Sequence, residues 1–337
     1  MNSLLGARVL ITGGAGLVGS HIADKLIDAG VDEIMVIDNF TRGTERNLED
    51  ARRRGHVTLY RRDIRDRAAV AAAMAGIDYV FHQAALRVTQ CAEGPRECVE
   101  VLIDGTFNVL EASVAAKVKK VLFASSASVY GLADIFPTPE THHPYHNQTL
   151  YGGAKVAGEQ MLRAFHQMYG LDYVALRYFN IYGPRMDVHG VFTEVMIRWL
   201  DCIERGEPPV IFGDGSQTMD FIYIEDVAVA NVLAAKSKAT DEVFNVASGE
   251  ETSLLQLLET LLKVTGADLR PVFQPERSVN PVRRRLASTE KAERLLGFRA
   301  SVGLEEGLRR LAEWRRSMRN TYPASHARTP VTAKSSA

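Results

Sequence analysis

The chain has 337 residues, 46% hydrophobic and 24% charged, with 40 Lys and Arg against 41 Asp and Glu for a net charge of −1. That is enough chain to bury a large core, and the charge balance excludes a general electrostatic grip on nucleic acid or on an acidic membrane surface. No uncharged apolar run reaches the ~20 residues that span a bilayer, and residues 1–7 lack a charged segment followed by an apolar one, so the expectation is a soluble, cytoplasmic protein with neither kind of partner.

The first half alternates strand and helix signals. Residues 8–12 (RVLIT) are a short apolar run ending in glycines, and residues 17–29 carry Ile22, Leu26 and Ile27 at helical spacing. Strands are expected at 33–38, 57–61 and 78–82, with an alanine-rich helix at 68–75 between the last two. A long helix at 97–116, a strand at 121–124, a helix at 151–169 and a strand at 173–177 follow. Strands separated by helices read as βαβ units, which make an α/β fold with a doubly wound parallel sheet covered on both faces.

After Asn180 the chain changes character. Gly183-Pro184, Gly190, Gly206, Pro208-Pro209, Gly213 and Gly215 crowd this stretch, and shorter elements lead to a helix at 304–316. The expected division is a cofactor domain over 1–178 and a smaller mixed α/β substrate domain over 179–316, with the chain crossing back to the sheet around 210–245. The smaller domain would lie over the carboxyl edge of the strands, where open sheets bind ligands. Residues 317–337 are rich in Ser, Thr, Ala and Pro without periodicity and read as a disordered tail. Cys91, Cys98 and Cys202 form no C-x-x-C pair and no Cys/His metal spacing, so three free thiols and no metal site are expected.

Residues 12–19 (TGGAGLVG) follow a strand and open a helix, with Gly13, Gly16 and Gly19 three apart. One glycine suits the tight turn, one the close approach of backbone to a pyrophosphate, and one the packing of helix on strand. The free N–H groups of the helix start then meet the phosphates. Asp38 ends the second strand 19 residues beyond Gly19. A carboxylate there accepts hydrogen bonds from a ribose and repels the extra phosphate of NADP, which points to NAD in a Rossmann sheet. Arg42 is the nearby feature that would tolerate such a phosphate.

Tyr151 and Lys155 stand four apart at the start of a helix and share a face. A free tyrosine titrates near ~10. A neighbouring ammonium stabilises the phenolate, so this pair can take a proton from a sugar hydroxyl while hydride leaves the same carbon. Lys155 is also placed to hold the nicotinamide ribose. Residues 125–128 (SSAS) follow a strand at the same edge and offer a hydroxyl to the reacting oxygen.

These motifs, with Asp63-Ile64, residues 82–85 (HQAA), 177–185 (RYFNIYGPR) and 212–228 (FGDGSQTMDFIYIEDVA), resemble the extended short-chain dehydrogenase/reductases of the NAD-dependent epimerase/dehydratase family over about residues 7–315. The resemblance implies Tyr151 as base, Lys155 as its partner and Ser126 as the third member. It implies Leu17, Val18, Asp38, Asn39, Asp63, Ile64 and the strand end at Gln83, Ala84 and Ala85 as NAD contacts, Phe179 beside the nicotinamide, and Asn180 near a substrate diphosphate. It also implies a homodimer joined through the helices at 97–116 and 151–169.

Ala127 and Ser128 stand where dehydratases of the family carry an Asp-Glu pair, and the glutamate usual in its decarboxylases is missing from this stretch. What remains is oxidation, reorientation and re-reduction. The expected function is therefore NAD-dependent epimerisation of a nucleotide sugar, at C4 of a UDP-hexose. The alternatives are a nucleotide-sugar reductase or dehydrogenase, an epimerase of a GDP- or CDP-sugar, and a dinucleotide-binding protein without turnover. Met219 replaces an arginine that often grips the diphosphate, leaving Arg185, Arg277 and Arg283 as candidate substitutes, or else residues 283–285 as a solvated basic surface. Arg285 and Leu286 are expected at the sugar end.

Overall fold

Short runs of aliphatic and β-branched residues, apolar on both faces, become the strands of one sheet. The structure is a computed structural model and describes residues 3–188, 194–276 and 282–321. The chain begins β1 (Arg8–Thr12), α1 (Leu17–Asp28), β2 (Glu33–Asp38), α2 (Glu49–Arg54), β3 (Val57–Arg61), α3 (Arg67–Ala73) and β4 (Tyr79–His82). It continues α4 (Val88–Glu93), α5 (Pro95–Val99), α6 (Gly105–Ala115), β5 (Lys120–Ser126), α7 (Leu150–Tyr169) and β6 (Tyr173–Tyr178). Then come β7 (Asn180–Tyr182), α8 (Val195–Arg205), β8 (Val210–Phe212), β9 (Thr218–Met219), β10 (Phe221–Tyr223), α9 (Ile224–Lys236) and β11 (Glu242–Val246). The described chain ends with β12 (Thr252–Ser253), α10 (Leu254–Thr265), β13 (Val272–Gln274), α11 (Glu290–Leu296) and α12 (Leu304–Thr321).

Seven strands pair in the order β11-β6-β5-β4-β1-β2-β3, all parallel. The order reverses between β1 and β4, where Thr12 lies opposite His82. Side chains alternate between the faces. Val9 and Ile11 pack with Ile22 and Leu26 of α1 and Val227 of α9. Leu10 and Phe123 pack on the other side with Val109 of α6 and Leu162 of α7. After β6 the chain leaves the sheet and comes back through α9 as β11, the seventh strand. Three small two-stranded sheets, β10-β7, β12-β9 and β13-β8, stand apart from this sheet. No described helix is long and apolar enough to cross a membrane.

Three expectations are corrected. The helix expected from residue 97 starts at Pro95 and passes through a π-helical turn at Glu100–Asp104 before α6. Cys91 and Cys98 form a disulfide, with Cα atoms 4.8 Å apart. The break at Gly94-Pro95 stacks the start of α5 against α4, a proximity that a spacing of seven does not announce. Cys202 alone is free. Finally, α12 runs to Thr321 instead of stopping near 316, and Arg315 ties its last turns to Asp201 of α8 at 2.9 Å. The rest of the expected tail lies outside the described residues.

Candidate active site

The loop between β1 and α1 needs its glycines. Gly13 has φ +67°, and a Cβ there would lie 2.7 Å from the Ala84 backbone nitrogen. At Gly19 a Cβ would come within 2.5 Å of the Gly13 carbonyl oxygen, so any side chain would push α1 off the loop. Gly16 caps α1 without a side-chain hydrogen bond, and no acidic residue occupies the first turn. The helix start, with Leu17 and Val18 half-buried beside it, is thus a set of free N–H groups suited to an anion.

Asp38 closes the cradle. Its Oδ2 accepts from Ala15 N at 2.9 Å and its Oδ1 from Phe40 N at 2.8 Å. Burial raises its pKa, and these two N–H groups oppose that rise. Asn39 donates to Asp63 Oδ2 at 2.8 Å. Asp63 is drawn down to about 2 chiefly by its hydrogen bonds with Arg65. Ile64 is buried next to it.

His82 fixes the strand end that carries Gln83, Ala84 and Ala85. The Thr106 hydroxyl donates to Leu102 O, so it accepts from His82 Nε2, which leaves Nδ1 to accept from Thr12. Burial lowers this imidazole to about 3, which keeps it neutral. Gln83 Oε1 accepts from the Tyr178 hydroxyl at 3.0 Å.

The catalytic candidates meet where β5 and α7 adjoin. Thr149 caps α7 by accepting from Gly152 N at 3.1 Å, which starts the helix at Leu150 and sets Tyr151 in its first turn. Ser126 acts on Tyr151 in the sense that favours the phenolate, and Ser126 Oγ accepts from Ser128 N at 3.1 Å. Lys155 is buried and donates to Ala124 O at 2.8 Å, with Nζ 5.7 Å from the Tyr151 ring centre.

The electrostatics differ from the sequence reading. Burial holds the Tyr151 pKa up, and Ser126, then Arg42 and Arg285, oppose it. Lys155 spends its hydrogen bond on the backbone, and burial brings it down to about 8 against the pull of Glu159.

Beneath Lys155 lies an ion pair that motif reading missed. Arg177 Nη2 reaches Glu159 Oε2 at 2.7 Å and Nε reaches Oε1 at 2.9 Å. Ser125 also donates to Glu159, at 2.5 Å. The available signal was the spacing of four that continues from Tyr151 through Lys155 to Glu159.

The substrate candidates scatter. Phe179 is buried against Tyr130 and Ala247. Asn180 Nδ2 donates to Asp220 O at 3.0 Å. Arg185 is corrected: it has φ +69° and turns to Asp24 of α1 at 2.8 Å. Arg283 is corrected too, since it sits on the surface between Glu276 and Asp214. Arg277 lies outside the described residues. Met219 is half-buried in β9, paired with Thr252. Arg285 does reach the site, donating from Nη1 to Ala127 O at 2.6 Å. It lines an open cleft with Val88, Ser128, Leu132, Asn147 and Thr149.

Residues 9–247 match the sequence model of the NAD dependent epimerase/dehydratase family. The chain belongs to this family. It is 34% identical to a UDP-glucose 4-epimerase of Mycolicibacterium smegmatis, over 92% of this chain and 99% of that protein. The fold superposes with TM-score 0.88 on the UDP-N-acetylglucosamine 4-epimerase of Methanobrevibacter ruminantium, solved with UDP-N-acetylmuramic acid, at 35% identity over 93% of this chain and 99% of that one. It superposes with TM-score 0.82 on the UDP-glucose 4-epimerase of Thermus thermophilus, solved with NAD, at 33% identity over 92% and 99%.

The cradle of this family member suits the family's cofactor. The space above Gly13 and Gly19 is one that a Cβ would fill, the α1 start offers unpaired N–H groups, and Asp38 closes the far side. NAD is the cofactor.

Proposed function

We propose that the protein is an NAD-dependent 4-epimerase of a UDP-linked sugar. The observation that carries this reading is that Tyr151 stands over Lys155 on α7, within the influence of Ser126, at a turn, residues 126–130, that presents no carboxylate. Gly13, Gly16, Leu17, Val18, Gly19, Asp38, Asn39, Asp63, Ile64, Gln83, Ala84, Ala85, Lys155 and Phe179 would hold NAD. The chemistry it would supply there is reversible hydride acceptance.

The residues of this chain supply the proton chemistry. Tyr151 takes the proton of the C4 hydroxyl, and Ser126 hydrogen-bonds the same oxygen. Lys155, anchored on Ala124 O, adds positive charge that favours the phenolate form of Tyr151, the form that takes this proton. Tyr151 gives the proton back once the other face of the sugar is presented. Without an acid at Ala127 or Ser128, nothing assists loss of a neighbouring hydroxyl, so the sugar returns intact.

The test is proton NMR of the purified protein with UDP-glucose, UDP-N-acetylglucosamine or UDP-glucuronate, without added cofactor. A galacto-configured anomeric signal from at least one sugar is expected. No change with all three would overturn the reading.

A homodimer, working in the cytoplasm, belongs to the same proposal. Phe107 of α6 and Met168 and Tyr169 of α7 are 45%, 67% and 54% exposed. Phe107 rests edge-on against Phe165, which meets Tyr169, so these side chains form one aromatic face across the two helices. An apolar patch of this kind suits a second copy of the chain. Phe107→Glu should convert the dimer to monomer, read by light scattering with size exclusion. A variant that still elutes as a dimer would rule out this face.

A further inference from the structure

The run Arg283-Arg284-Arg285 is not uniform. Arg283 faces Glu276 and Asp214. Arg284 is held bidentate by Glu251, with both contacts at 2.8 Å. Arg285 is the least exposed of the three and has no carboxylate within ion-pair distance, although every Asp and Glu of the chain lies among the described residues. Its Nη1 is spent on Ala127 O, and its Nε and Nη2 have no partner among the described residues.

The backbone fixes where that guanidinium points. Arg285 N donates to Thr218 O at 3.0 Å, and two residues on Ala287 N donates to the buried Asp220 at 3.3 Å. The segment is therefore pinned across the mouth of the cleft. Ala127, which Arg285 touches, directly follows Ser126, the partner of Tyr151. Arg285 and Tyr151 also act on each other electrostatically. Burial brings the guanidinium down to about 10, the mark of a cation held without its counter-ion.

An anion that meets this group must belong to the part of the substrate that meets Tyr151. The diphosphate is attached at C1, across the ring from the reacting C4. A carboxylate at C6, by contrast, is only two carbons from C4. A hydroxymethyl group at C6 would leave the guanidinium unpaired, whereas a carboxylate fits its planar fork of donors.

We propose that the sugar of the natural substrate is a hexuronate, and that Arg285 reads its C6 carboxylate. This rests on the 4-epimerase reading above and narrows its substrate.

The experiment compares kcat/KM for UDP-glucuronate and UDP-glucose in the wild type, Arg285→Met and Arg285→Lys. A ratio for one protein sample does not depend on how much of it is folded. A charge-assisted hydrogen bond is worth enough for the wild type to favour the uronate by about 50-fold. Arg285→Met should bring the two sugars within about threefold, and Arg285→Lys should keep part of the preference. A wild type that converts UDP-glucose as well as or better than UDP-glucuronate overturns this inference and leaves the proposed function standing. So does an Arg285→Met variant that slows both sugars by the same factor. No turnover of either sugar overturns this inference, and the proposed function falls with it when UDP-N-acetylglucosamine is left unchanged as well.

Discussion

Replacing Tyr151 with phenylalanine is expected to slow epimerisation about a thousand-fold while NAD binding and the fold stay intact. The change deletes one oxygen and keeps the ring, so packing at the start of α7 is undisturbed. What it removes is the group that moves a proton, and positioned proton transfer contributes roughly 10²- to 10⁴-fold. The upper part of that range is expected because the site offers little to replace the hydroxyl. The carboxylates are held elsewhere, with Glu159 bound to Arg177 and Asp220 to the backbone at Ser248 and Gly249. Burial also disfavours the phenolate, and Ser126, Arg42 and Arg285 work against that burial. The tyrosine is therefore a base that depends on its surroundings. Single-turnover conversion followed by NMR, with NAD binding read by fluorescence, separates the two effects. If Tyr151→Phe retained activity within threefold of the wild type, the mechanism would be wrong.

The features legible in the sequence are those set by local geometry. The glycines of the β1–α1 loop, Asp38 at a strand end, and the spacing of Tyr151 and Lys155 each depend on a few consecutive residues, and the structure puts them at one sheet edge. The sheet was legible for the same reason, since its strands are continuous apolar runs buried on both faces. What escaped depends on contacts between distant residues. Arg185 looked like a phosphate ligand until Asp24, 161 positions earlier, claimed it. Arg285 belongs to a run that reads as solvated surface, and only its partnerless position beside Ala127 sets it apart from Arg283 and Arg284. The Cys91–Cys98 bond depends on how two short helices stack. The hydrogen bond that Lys155 donates to the backbone carbonyl of Ala124 is invisible to any side-chain pattern.

Glu159→Ala is expected to be the most destabilising single change near the site, by about 3–5 kcal/mol, because it strands a buried guanidinium. Glu159 and Arg177 are 6% and 9% exposed. Burial alone would lower the Arg177 pKa, yet Glu159 and Tyr130 hold it well above its ordinary value, so the charge stays. Arg177 then fixes Tyr130 at 3.0 Å and the Glu140 carbonyl at 2.9 Å, tying β6 to the loop that borders the cleft. Removing both charges with Glu159→Leu and Arg177→Met should recover most of the loss, since a well-packed apolar pair avoids the desolvation cost. Urea midpoints of the two single variants and the double variant give the coupling. A loss below about 1 kcal/mol for Glu159→Ala would mean that the pair contributes little. The milder Glu159→Gln tests the link to catalysis. Glu159 is the group that raises the Lys155 pKa against burial, so neutralising it should move that value below about 8. A cation that deprotonates earlier supports Tyr151 over a narrower range, so the alkaline limb of kcat should shift to lower pH. An unshifted limb would confine Glu159 to a structural role and would place the charge acting on Tyr151 with Arg42 and Arg285 alone.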